Sequence, residues 1–116
     1  MNYAIVVAQF NKEITDGLLE GALRGFAEKN VSREAITMFE VPGSWEIPIA
    51  VEKLAVTKKY MAIVTLGAVI QGETSHDHWI NQGIFPLLQS LAVKYSIPVT
   101  LGIITCNTWA KAQARS

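Results

Sequence analysis

A polar run, Gln71-Gly72-Glu73-Thr74-Ser75-His76-Asp77-His78, interrupts an otherwise apolar chain and holds both of its histidines. A helix opening near Ser75 or His76 would turn its first unpaired amides back toward the preceding loop. Gly72 would let a ligand approach the backbone closely, and Thr74 and Ser75 would add hydroxyl donors. Such an arrangement can cradle an anion such as phosphate, and the same hydroxyls can equally serve as an ordinary helix cap. His76 stands at the edge of the run, and imidazole, with an ordinary pKa of about 6.5, suits proton transfer at neutral pH. Asp77, His78 and Glu73 invite a metal reading as well. On a helix, however, residues two apart diverge around the axis, and no His or Cys cluster lies elsewhere in the chain. No metal is expected, and His78 reads as a surface residue.

Two further stretches could contribute. In Pro42-Gly43-Ser44-Trp45-Glu46, the carboxylate of Glu46 lies near a helix start, where it can cap or can bind a hydroxylated ligand. Trp45 can be core or contact. Phe10, just past an apolar run, can be core or a stacking surface for a planar ring. Each feature has an ordinary structural reading; together at one edge of one sheet they favour a binding site.

The elements that would bring them together follow from the hydrophobic pattern. Tyr3 to Val7 is a continuous β-prone run and reads as a central strand. From Asn11 to Lys29, Ile14, Leu18, Ala22 and Phe26 recur at helical spacing and predict one apolar face. Gly17, Gly21 and Gly25 follow a neighbouring stripe, each costing a helix interior about 1 kcal/mol relative to alanine. Close approach of another backbone is the expected reason. Ala35 to Val41 reads as a second strand, Ile47 to Thr57 as a helix with Pro48 in its first turn, and Met61 to Leu66 as a third strand. Trp79 to Lys94 reads as a helix with Ile80, Ile84, Leu87, Leu88 and Leu91 on one side, which Pro86 should kink or restart. Pro98 to Thr105 is a fourth strand, and Thr108 to Arg115 opens a last helix.

Strands alternating with helices predict one α/β domain: a three-layer αβα sandwich around a four-stranded parallel sheet. Ligands of such sheets bind outside the carboxyl ends of the strands. That places Phe10, the 42–46 stretch, the Ala68 to His76 junction and the end of the fourth strand at one edge.

Composition limits the possible partners. The 116 residues carry 10 basic and 10 acidic side chains, scattered, for a formal charge of zero. Nothing there makes an electrostatic footprint for nucleic acid or an anionic membrane. No run is long enough to span a bilayer, and no signal-type leader is evident. Half of the residues are hydrophobic and the mean hydropathy is +0.25, as expected for a sheet covered on both faces or for a subunit with apolar interfaces. The single cysteine, Cys106, cannot form an internal disulfide and reads as a structural thiol at a strand end; a cytoplasmic location is expected.

Several stretches together resemble the lumazine synthases of riboflavin biosynthesis. They are Ala8-Gln9-Phe10-Asn11, Leu18-Leu19-Glu20-Gly21-Ala22, Val41-Pro42-Gly43-Ser44-Trp45-Glu46-Ile47-Pro48 and Leu66-Gly67-Ala68-Val69-Ile70-Gln71-Gly72-Glu73-Thr74-Ser75-His76. Pro98 to Gly102 and Asn107 to Arg115 match more loosely. The resemblance implies a flavodoxin-like layer arrangement. It also implies condensation of 5-amino-6-ribitylamino-pyrimidinedione with 3,4-dihydroxy-2-butanone 4-phosphate, without metal or organic cofactor. Carried over by position, Phe10 would stack on the pyrimidine, and Ser44, Trp45 and Glu46 would hold the pyrimidine and ribityl chain. Ala68, Val69 and Ile70 would offer main-chain contacts, Glu73 and Thr74 would bind phosphate, and His76 would transfer protons.

The family is homo-oligomeric, forming pentamers and icosahedral shells, with sites shared between neighbouring subunits. Leu101 and Arg115 would therefore reach the site from the adjacent chain, and riboflavin synthase would be a further partner. Leu101 stands where the family normally has an aromatic residue, and Pro86 is unusual within its helix. Family members continue past the position of Ser116 through a helical segment bearing a lysine near the phosphate. The expectation is thus a domain without that segment. The rival reading within the family is a weakly active or non-catalytic ligand-binding or shell-forming homologue. A flavodoxin-like signalling receiver would need an acidic cluster after strand one and an aspartate after strand three; Gln9-Phe10-Asn11 and Gly67-Ala68 occupy those places instead.

Overall fold

Apolar runs too short for helices become strands once helices cover both of their faces. The computed structural model, which describes residues 2–70 and 76–106 (backbone alone for residues 70, 76–82 and 104–106), contains four such strands. They are β1 (Tyr3–Ala8), β2 (Ile36–Val41), β3 (Ala62–Ile70) and β4 (Val99–Cys106). Helices α1 (Lys12–Glu28), α2 (Ile47–Val56) and α3 (His76–Tyr95) connect them, with single 3-10 turns at Arg33–Ala35 and Ser44–Glu46. All pairings are parallel, in the order β2-β1-β3-β4.

Alternation along the strands divides the core into two layers. Ile5, Val7, Ile36 and Leu66 face α1, whose Leu18, Ala22 and Phe26 pack on them as the helical spacing predicts. Ala4, Val6, Ala8, Ile63 and Val69 face α2 and α3 through Ile47, Val51, Ile84, Leu88 and Leu91. As the central strand, β1 is buried continuously from Ala4 to Ala8. The result is the three-layer αβα sandwich read from the sequence.

Four details differ from that reading. β3 runs on to Ile70 instead of stopping at Leu66, because Gly67 through Ile70 pair with Ile103 through Cys106 of β4. α3 begins at His76, three residues before Trp79, and continues unbroken through Pro86. The proline removes one backbone donor, but Ile84 on one side of it and Leu88 and Leu91 on the other are all buried against the sheet and keep both halves in place. Leu87 is turned away from that face and is 47% exposed. A Cβ at Gly21 or Gly25 would meet nothing within 4 Å among the described residues, so no described backbone of this chain comes close to these two glycines. The helix expected over Thr108 to Arg115 lies outside the described residues, and among those described no helix is long and apolar enough to cross a membrane.

Strand order reverses at β1: the chain passes from β1 to β2 on one side, then to β3 on the other. The carboxyl ends of β1 and β3 therefore flank a switch-point crevice, the place where an open parallel sheet receives ligand.

Candidate functional site

Among the described residues, the crevice has an open strand edge. β1 pairs with β3 only as far as Val7 with Leu66, whereas β3 continues to Ile70 alongside β4. Gly67 to Ile70 thus carry β4 on one side and no β1 partner on the other. Backbone amides and carbonyls on such an edge must find partners. One is supplied within the chain: the Asn11 side-chain amide donates to the Ala68 carbonyl at 3.1 Å. The side chains of Ala68 and Val69 are buried, so this stretch offers a ligand mainly its backbone.

Phe10 stands beside that edge. Past the end of β1, the Gln9 amide donates to the Val41 carbonyl at 2.8 Å and the Phe10 amide to the Pro42 carbonyl at 2.9 Å. These bonds tie the exit of β1 to the exit of β2. Asn11 then takes the left-handed conformation (φ 63°, ψ 50°), which asparagine tolerates better than most residues, and α1 begins at Lys12. This tight exit leaves Phe10 71% exposed. Of the two sequence readings of Phe10, core is excluded and an outward-facing aromatic surface stands.

Ser44, Trp45 and Glu46 form the 3-10 turn that enters α2, with Pro48 in the first helical turn, where its missing amide costs nothing. Ser44 is buried against β3, and a methyl group on Gly67 would overlap its Oγ. Trp45 is 62% exposed, with one edge of its indole resting on α3 at Gly83. Glu46 occupies the N-cap position of α2, yet its side chain makes no capping hydrogen bond. No side-chain hydrogen bond supports a capping role for Glu46, which leaves its carboxylate at the start of α2.

The structure thus brings Phe10, Ser44, Trp45, Glu46, Ala68 and Val69 to one edge of the sheet, with the Ile70 backbone closing β3. Leu101 is not among them. It pairs with Thr65, about 16 Å along the sheet from the end of β3 at Ile70, and is 49% exposed. His76 opens α3 through its backbone; its side chain, like Glu73, Thr74 and Arg115, lies outside the described residues. Three residues that the sequence did not single out as site residues support the edge: Asn11, Gly67 and Gly83. An asparagine at a helix start and a glycine directly after an apolar strand run are the available sequence signals for the first two. Gly83 had none.

An open parallel sheet in the order β2-β1-β3-β4 with helices on both faces defines a flavodoxin-like α/β protein. The whole chain, residues 1–116, matches the family model described as 6,7-dimethyl-8-ribityllumazine synthase. It is 42% identical over 113 residues to a 6,7-dimethyl-8-ribityllumazine synthase of Coxiella burnetii (strain Dugway 5J108-111), covering 97% of this chain and 75% of that protein. A protein of the same name from Salinibacter ruber is 39% identical over 114 residues (98% and 73% covered). The 6,7-dimethyl-8-ribityllumazine synthase 1 of Caulobacter vibrioides is 42% identical over 113 residues (97% and 74%). The chain belongs to the 6,7-dimethyl-8-ribityllumazine synthase family.

Proposed function

We propose that this protein condenses 5-amino-6-ribitylamino-pyrimidinedione with 3,4-dihydroxy-2-butanone 4-phosphate, releasing 6,7-dimethyl-8-ribityllumazine, phosphate and water. The observation that carries the reading is the family match across the full chain. The open end of β3 beside an exposed Phe10 supports it, because a flat heterocycle with donors and acceptors around its rim fits that combination.

In this reading Phe10 stacks on the pyrimidine face, and the backbone of Ala68, Val69 and Ile70 bonds to its rim. Ser44, Trp45 and Glu46 hold the ring and the ribityl hydroxyls, with Glu46 accepting from hydroxyl donors. Glu73 and Thr74 bind the phosphate at the start of α3, and His76 moves protons there. Arg115 and Leu101 come from a neighbouring copy, the guanidinium pairing with phosphate in a planar, two-toothed contact. The exposed mid-strand position of Leu101, away from its own crevice, is consistent with that role.

The chemistry asks little beyond holding two reactants and moving protons. The pyrimidine amino group adds to the ketone and water leaves as the imine forms. Loss of a proton from the sugar-derived carbon then expels phosphate, and the ribityl-bearing nitrogen closes the second ring with loss of water. Holding the reactants side by side supplies much of the rate of such a sequence.

The working form is a homo-oligomer, a pentamer or an icosahedral shell built from pentamers, in the cytoplasm, with riboflavin synthase as a possible associate. Exposed apolar side chains at Ile49, Val56, Leu87 and Val93 suit such interfaces. Mixing the two substrates with purified protein tests the enzyme reading. Lumazine fluorescence should grow faster than in the spontaneous reaction and more slowly with His76→Ala. A rate equal to the spontaneous one would overturn it.

A further inference from the structure

The turn that carries Ser44, Trp45 and Glu46 has little support of its own: three residues of 3-10 helix without a side-chain cap. Two glycines on other elements seat it. On β3, a methyl at Gly67 would overlap Ser44 Oγ and stand 3.4 Å from Ile47 Cδ1. On α3, a methyl at Gly83 would stand 3.1 Å from Cζ3 and 3.3 Å from Cη2 of Trp45. Contacts that short require the indole to move.

Gly83 lies well inside a 20-residue helix, where glycine is disfavoured relative to alanine. Gly21 and Gly25 of α1 differ, because a Cβ there would meet nothing within 4 Å among the described residues. The indole at Gly83 also walls a shallow cavity of about 200 Å³, lined by Trp45, Pro48, Ile49, Gly83, Ile84 and Leu87. Trp45 therefore rests on α3 along one edge while the rest of its ring stays open to solvent.

We propose that Gly83 is a positioning residue for the pyrimidine substrate. Its missing side chain sets the depth at which Trp45 rests on α3, and so the height of the 44–46 turn over the carboxyl end of β3. This rests on the reading of Ser44, Trp45 and Glu46 as substrate contacts. Gly83 touches no substrate and acts through the indole.

The test measures both KM values and kcat for Gly83→Ala and Gly83→Leu, each alone and in a Trp45→Phe background. Phenylalanine keeps a ring on the turn but lacks the two atoms that crowd Gly83. KM for the ribitylamino-pyrimidine should rise about threefold with alanine and about tenfold with leucine, with kcat and the other KM within about twofold. In the Trp45→Phe background Gly83→Ala should add nothing, and the double variant should fold even if Gly83→Leu alone does not. Alanine and leucine favour helix over glycine, so a purely structural role predicts an unchanged KM and an equal or higher melting temperature. An equal KM increase from Gly83→Ala in both backgrounds would overturn the proposal. If Trp45→Phe raises KM and the Gly83 variants do not, the seat alone is wrong. If neither changes KM, the placement of Trp45 at the substrate fails and the role of Gly83 falls with it.

Discussion

The side-chain amide of Asn11 donates to the main-chain carbonyl of Ala68 across 3.1 Å, joining residues 57 positions apart. That bond links the left-handed exit of β1 to the one stretch of β3 that β1 does not pair with. It ties the loop that carries Phe10, the proposed stacking surface, to the backbone proposed to meet the ring's rim.

Two Asn11 variants separate its roles. Asn11→Gly keeps the left-handed conformation and loses the bond, so stability should fall by about 1 kcal/mol. Asn11→Ala loses the bond and also strains the backbone, adding about another 1 kcal/mol. Urea unfolding gives the stabilities, and both variants should raise KM for the pyrimidine substrate.

Phe10→Ala should leave stability within about 0.5 kcal/mol, because the ring is 71% exposed and fills no core space. Its cost should appear in KM for the pyrimidine, with KM for the butanone phosphate unchanged. Leu88→Ala is the opposite case: a fully buried side chain whose removal should cost about 2–5 kcal/mol.

Gly67→Ala should destabilise by about 1–3 kcal/mol, since the new methyl overlaps Ser44 Oγ and the turn must lift from β3. Combining it with Ser44→Ala, which removes the overlapping hydroxyl, should recover part of that loss. Thermal unfolding of the two single variants and the double variant measures the coupling.

Gly21→Ala and Gly25→Ala should each stabilise by about 0.5–1 kcal/mol, because alanine favours helix and none of the described residues obstructs the new methyl. A fall in melting temperature would mean instead that something beyond the described residues covers this stripe of α1.

Much of the site was legible because its signals are local. Phe10 at a strand exit, Pro42 to Glu46 before a helix and the polar run after β3 each announce a junction, and parallel α/β topology puts those junctions at one edge. Whether Phe10 was core and whether Glu46 was a cap stayed open until the surroundings of each were known. Asn11 and Gly83 went unrecognised for the same reason: each matters through a neighbour distant in sequence, Ala68 in one case and Trp45 in the other.

The order of strands and helices, the two apolar layers and the membership of the sheet were determined by the sequence alone, because strands covered on both faces read as short continuous apolar runs and helices repeat their apolar residues near every four. The tertiary structure decided where β3 ends, that α3 runs through Pro86, and which edge of β3 stays open. Gly67 to Ile70 are extended because β4 pairs with them some 36 residues later in the chain, and Pro86 is tolerated because the sheet holds Ile84, Leu88 and Leu91 on either side of it. Pairing and packing of that kind join distant segments, and no local pattern of residue types encodes them.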